Sequence, residues 1–123
     1  MYDIIFYRDK NGHEPIVEYL DELRSKASTS KDSRIKSEKI EEYLEVLERM
    51  GTRAGLPYTK HIDGDMWELR PLKDRIFFAY WMDNKFIMVH HFTKKTQKTP
   101  QREIDQAKRN LQDFLERIDN DEK

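Results

Sequence analysis

The chain has 123 residues, enough for one domain and too few for paired dinucleotide-binding domains or a barrel of eight β/α units. Charged residues make up 38% and hydrophobic ones 37%, and 2 Trp, 6 Tyr and 6 Phe supply a small core, which excludes a disordered polar chain. The net charge of -1 hides an uneven distribution: Lys60–Arg102 holds nine Lys/Arg against five Asp/Glu, and Asn84–Arg102 holds Lys85, Lys94, Lys95, Lys98 and Arg102 with no acid at all.

Residues 2–8 (YDIIFYR) are aromatic and β-branched with no breaker, and Asn11-Gly12 supplies a turn, so the chain opens with a strand. Pro15 suits a first helical position, and Ile16, Leu20, Leu23 and Ala27 form one apolar stripe. Ser28, Thr29 and Ser30 interrupt it. From about Asp32 the helical pattern resumes through Ile40, Tyr43, Leu44, Leu47 and Met50, with Gly51 placed as a C-terminal cap. These two segments predict an αα-hairpin with one apolar face per helix.

Thr52–Gly64 contains Gly55, Pro57 and Gly64 and reads as a loop. Three strands follow, Met66–Leu72, Arg75–Met82 and Lys85–Thr93, joined by two-residue links at Lys73-Asp74 and Asp83-Asn84. In the middle strand Ile76, Phe78 and Tyr80 point one way and Phe77, Ala79 and Trp81 the other, so both sheet faces need cover. The αα-hairpin covers one. A last helix, Pro100 to about Ile118, covers part of the other with Ile104, Ala107, Leu111, Leu115 and Ile118, capped by Thr99 with Pro100 first. Residues 119–123 carry no apolar group and are expected to fray. The expected architecture is an α+β domain at 1–118, β-α-α-β-β-β-α, with a four-stranded antiparallel sheet.

With no cysteine there is no disulfide, no thiol nucleophile and no thiolate metal site, which favours an intracellular protein. The run in MYDIIFYRDK is too short for a signal peptide, and no stretch approaches the roughly 20 apolar residues of a membrane span, so the expectation is a cytoplasmic chain. Phosphate-loop, GxSxG and HExxH motifs are missing. His90 and His91 are neighbours in a strand and point to opposite faces, so they do not chelate one metal easily; neither a metal nor a cofactor is expected.

Cations converge instead. Arg70 and Arg75 flank one turn, and Lys94 and Lys95 leave the end of the antiparallel neighbour, so the four gather at one sheet end. Two guanidiniums and two ammoniums can hold a phosphodiester and stabilise added charge on pentacoordinate phosphorus without a metal. The competing reading pairs Arg70 with Glu68 or Asp74 and leaves the lysines solvated. His90 is expected to share a strand face with Met88 and Phe92, either as a half-buried structural histidine or, neutral beside cations, as a proton acceptor. Tyr80 and Trp81 read as core or as base-stacking residues.

MWELRPLKDRIFFAYW followed by IMVHHFTKKTQKTPQREIDQAKRNL resembles the HigB-type, phage-related branch of the RelE/ParE toxin superfamily. HFTKKTQKTP leading into an acidic-start helix is its most specific part, and WELR with an Arg-Ile strand five residues on supports it, over Met66–Leu111. The resemblance implies a RelE-like fold and the toxin of a type II toxin–antitoxin pair. The implied activity is that of an endoribonuclease, an mRNA interferase cutting mRNA on the ribosome through attack of a ribose 2′-hydroxyl, with no metal or cofactor. By the same resemblance Arg70 and Arg75 hold the phosphate, and Lys94, Lys95 or His90 carry the proton transfers. His91 stands where the family has a small residue. Lys85 and Lys98 extend the RNA-binding set. The implied partners are a HigA-like helix-turn-helix antitoxin, mRNA and the ribosome, and a toxin–antitoxin heterotetramer is compatible with them. A ParE-like inhibitor of DNA gyrase and a non-catalytic antitoxin-binding domain remain as alternatives.

Overall fold

The computed structural model describes residues 1–121. In chain order the elements are β1 (Asp3–Phe6), α1 (Pro15–Lys26), α2 (Lys31–Met50), β2 (Thr59–Asp63), β3 (Met66–Leu69), β4 (Asp74–Tyr80), β5 (Lys85–Thr93) and α3 (Gln101–Asp121), with a 3-10 turn at Gly51–Ala54. The α+β class agrees with the sequence reading. The sheet, however, has five strands in the order β1-β5-β4-β3-β2, with β1 parallel to β5 and the other neighbours antiparallel.

This corrects the expected four antiparallel strands in two ways. The extra strand, β2, lies inside the segment read as a loop. Gly55, Pro57 and Gly64 flank it rather than interrupt it, leaving Lys60 and His61 free to pair with Glu68 and Trp67. Then β1 enters at the far edge. The helical pair carries the chain across the sheet, β2 to β5 fill it from the opposite side as a meander, and β5 arrives beside β1 in parallel.

Ends also differ. The first strand is shorter than 2–8, and the strand expected over Met66–Leu72 stops at Leu69. The link placed at Lys73-Asp74 is a wider turn in which the Asp74 N–H donates to the Pro71 carbonyl at 3.0 Å, with Leu72 at φ 57°. Asp83 and Asn84 do form a two-residue hairpin loop, at φ 50° and 59°, the mirror-image geometry that suits the strand twist and that Asp and Asn tolerate. α3 continues through Asp121, so Asp119–Asp121, expected to fray, are helical; Glu122 and Lys123 of that tail lie outside the described residues.

The helices cover the sheet as their stripes require. Ile16, Leu20, Leu23, Ile40 and Leu47 pack over Leu69, Ile76, Phe78, Phe86 and Met88. Ser30 caps α2 by accepting from the Ser33 N–H at 3.2 Å, and Gly51 ends it at φ 62°, where a Cβ would come within 2.8 Å of the Tyr2 ring. On the other face Ala107, Ile104, Leu111 and Phe114 of α3 meet Met66, Phe77, Ala79, Ile87 and Val89. Phe114, not the exposed Leu115, completes that stripe. Trp81 packs there too, edge-on to Phe114, whereas Tyr80 is half exposed.

One irregularity re-aims the end of β5. Phe77 pairs with His90 but Phe78 with Met88, so Val89 is the extra residue of a β-bulge. Beyond it the alternation is shifted by one. His90 therefore stacks over Phe77 on the α3 face, opposite to Met88, while His91 stacks on Tyr19 of α1 with centroids 4.6 Å apart. The expected grouping of His90 with both Met88 and Phe92 is corrected: it keeps Phe92 alone.

Candidate functional site

Register brings the cations together. Leu69 pairs with Ile76, so Arg70 and Arg75 face each other at the mouth of the β3–β4 turn. The Lys94 N–H donates to the Lys73 carbonyl at 2.7 Å, which holds the chain leaving β5 against the same turn. Between them lies an open groove of about 850 Å³ lined, among the described residues, by Arg70, Leu72, Lys73, Arg75, Thr93, Lys94, Lys95, Thr96 and Gln97: five cations and no carboxylate. Among the described residues the lysines that form ion pairs are Lys26, Lys36, Lys39, Lys85 and Lys108, none of them in the groove.

Glu68 lies behind the arginines. Its side chain is 2% exposed, with one carboxylate oxygen 3.8 Å from Arg70 Nε and the other 4.0 Å from Arg75 Nε. Both contacts are too long for a hydrogen bond, and Glu68 Oε2 and Arg75 Nε are buried without one. Arg75 Nη1 donates to the Leu72 and Asp74 carbonyls at 2.8 and 2.9 Å. Both bonds run through one nitrogen and fix that end of the guanidinium. Arg70 is less confined, its side chain 23% exposed. The pairing of Arg70 with Glu68 is real, but one carboxylate serves two guanidiniums, and among the described residues the lysines in front of them form no ion pair.

That density of charge is felt within the groove. Partial burial, and then the Arg75 guanidinium, hold the Lys94 ammonium below the ordinary lysine range. Burial likewise pushes Arg75 down and Arg70 adds to this, with Glu68 opposing it; a guanidinium nonetheless stays charged at neutral pH. Asp74, buried on the opposite face, accepts from Tyr19 Oη at 2.9 Å and Thr93 Oγ1 at 2.8 Å. The network ties α1 to both strands that carry the groove. Burial, with Asp74 beside it, pushes the Tyr19 phenol up to about 12.

The remaining candidates are dispersed. Lys85 sits at the opposite end of β5, 5.9 Å over the Trp81 ring and 4.0 Å from Asp83. Lys98 is exposed on the loop before α3, where its carbonyl accepts from Thr96 Oγ1, and it does not line the groove. His90 Nε2 lies 3.0 Å from Glu103 Oε1 and lines a separate cleft with Tyr7, Asp9, His91 and Asn110. His91 is the imidazole with a lowered pKa, through burial first and His90 second. Sequence reasoning weighed Glu68 only as a neutralising partner, although alternation places it two residues before Arg70 on the same face. Lys60, opposite Glu68 in the β2–β3 ladder, went unnoticed because its strand read as a loop.

A mixed five-stranded sheet with α1 and α2 on one face and α3 on the other, and a cationic groove at one sheet end, defines a small α+β domain. The chain belongs to the family described as Phage derived protein Gp49-like (DUF891), whose model matches residues 18–112 and so includes the segment Met66–Leu111. That family is associated with the toxins of toxin–antitoxin systems, and an antitoxin is the partner it suggests. No curated protein matches the chain. Among the described residues no helix is long and apolar enough to cross a membrane.

Proposed function

We propose that this chain is a HigB-like toxin acting as an endoribonuclease, and that the groove at Arg70, Arg75, Lys94 and Lys95 takes the RNA backbone. The observation that carries the reading is a groove with five cations and no carboxylate on its walls. Counter-charge of that kind suits a phosphodiester, and Nη2 of Arg75 is left without a protein hydrogen bond among the described residues. In the proposed reaction a ribose 2′-oxygen attacks the adjacent phosphorus while its proton passes to a base. The P–O5′ bond breaks, and the 5′-oxygen leaves with a proton from an acid, giving a 2′,3′-cyclic phosphate and a 5′-hydroxyl. Arg70 and Arg75 neutralise the non-bridging oxygens as charge builds on them. Lys94, whose ammonium gives up its proton more readily than an ordinary lysine, and Lys95 beside it carry the proton transfers. His90 is assigned none of them, because its Nε2 is engaged by Glu103. No step runs through a metal or cofactor.

The target under this proposal is mRNA on the ribosome, with a helix-turn-helix antitoxin as the silencing partner. The test induces the intact chain and Arg75→Lys in a bacterium without the antitoxin, with primer extension on a reporter message in the presence and absence of translation. Arg75→Lys keeps a cation opposite Glu68 and removes the planar fork. The expected result is growth arrest with cuts in translated message for the intact chain, and loss of both in the variant. Growth arrest with uncut message contradicts the nuclease and favours a gyrase-type target.

A further inference from the structure

Beside the cationic groove lies a second, smaller one. It has a volume of about 440 Å³ and is lined by Phe92, Thr93, Lys95, Pro100, Arg102 and Glu103 among others, at the junction of β5 with the first turn of α3. Thr93, Lys95 and Thr96 line both, so the two adjoin. Their chemistry differs. Where the charged residues of the groove are all cations, the pocket has an apolar wall in Phe92 and Pro100 and a carboxylate in Glu103. Phe92 is fixed by packing on Phe77, with centroids 5.6 Å apart.

Glu103 is the unexpected group. A carboxylate next to a phosphate site repels the backbone, so its presence calls for a donor to meet it. The protein supplies one: His90 Nε2 lies 3.0 Å from Oε1, and both side chains are 18% exposed. Among the described residues Oε2 has no partner, and no lysine or arginine pairs with this carboxylate although Lys95 and Arg102 line the same pocket. His90 holds one oxygen of the group, and the other is left with accepting capacity. A flat apolar wall and one aimed acceptor, a step away from a phosphate track, are what a nucleobase needs: stacking surface and an edge contact.

We propose that this pocket holds the base of a nucleotide bound through its phosphate in the cationic groove, and that Glu103 selects bases bearing an exocyclic amino group over uracil. Guanine, adenine and cytosine each offer an N–H₂ donor to the carboxylate. Uracil flanks its single N–H with two carbonyl oxygens, which a carboxylate repels. His90 acts here as a positioning residue for Glu103. The inference rests on the RNA-binding reading of the groove and deepens it by assigning the base specificity of the same site.

The test measures binding of the full chain to 2′-O-methyl trinucleotides, which cannot be cut by 2′-oxygen attack, with each base varied in turn at each position. The expected result is a preference of about tenfold or more for an amino-bearing base over uracil at one position, the size of a good edge contact. Glu103→Gln keeps an acceptor for His90 and adds a donor, so it should shrink that preference to about twofold or less while the salt dependence of binding stays. Phe92→Leu should weaken all four bases alike without changing their order. Salt-dependent binding that is indifferent to the base, or an order unchanged by Glu103→Gln, overturns the pocket and leaves the groove standing. No salt-dependent binding of any trinucleotide overturns both.

Discussion

The two ends of β5 hold the same kind of residue in different company. At its start Lys85 lies over the Trp81 ring with Asp83 within 4.0 Å, beside a tight hairpin. At its end Lys94 and Lys95 join Arg70, Lys73 and Arg75 around an open groove with no carboxylate on its walls. The strand is nine residues long, so the ends stand about 26 Å apart. A count of basic residues along Asn84–Arg102 treats them alike. What separates the two ends is where the fold puts the counter-charge, and at the Lys94 end the carboxylate that pairs with the arginines, Glu68, is buried behind them.

The largest effect expected at that end is on stability. Among the described residues Arg75→Ala leaves Glu68 buried with Arg70 at 3.8 Å as its one ion-pair partner, and breaking a buried ion pair by removing one partner costs about 3–5 kcal/mol. Urea unfolding should show that loss, and the double change Arg75→Ala with Glu68→Ala should recover much of it; an Arg75→Ala variant as stable as the parent would show that Glu68 does not depend on Arg75. Next in size is binding. Lys94→Ala with Lys95→Ala should weaken single-stranded RNA binding and reduce its log–log salt slope by roughly 1.4, two phosphate contacts at about 0.7 each, with the melting temperature little changed.

The smallest effect is a pH dependence. His91, half-buried against Tyr19, titrates below its ordinary 6.5, with burial the main cause and His90 the second. The unfolded chain then binds more protons than the folded one on the acid side. Stability is therefore fully present above about pH 6.5 and lost as the pH falls through the folded value. His91→Phe, which keeps a ring on Tyr19, should flatten this limb in denaturation series from pH 7 to 5. An equally steep limb in the variant would assign the acid sensitivity elsewhere.

The elements with strong periodicity were legible without coordinates: both helices of the hairpin, the Asp83-Asn84 turn, β5 and α3. So was the meeting of Arg70, Arg75, Lys94 and Lys95 at one sheet end, because hairpin alternation dictates it. Three features were not. Thr59–Asp63 is a short edge strand whose stability comes from pairing with β3, and its flanking Gly and Pro mimic a loop. The parallel place of β1 depends on where the helical pair delivers the chain. The bulge at Val89 has no local sequence mark, yet it decides that His90 meets Glu103 and His91 meets Tyr19.

The most direct test of the central claim compares the two ends of β5 in one experiment: fluorescence anisotropy of a labelled 2′-O-methyl RNA against salt for the intact chain, Lys94→Ala with Lys95→Ala, and Lys85→Ala. The expected result is a shallower slope and weaker binding for the pair at the groove, and a curve for Lys85→Ala that overlays the parent. Equal losses at both ends, or a slope that neither change alters, would contradict a phosphate-binding groove at Arg70, Arg75, Lys94 and Lys95.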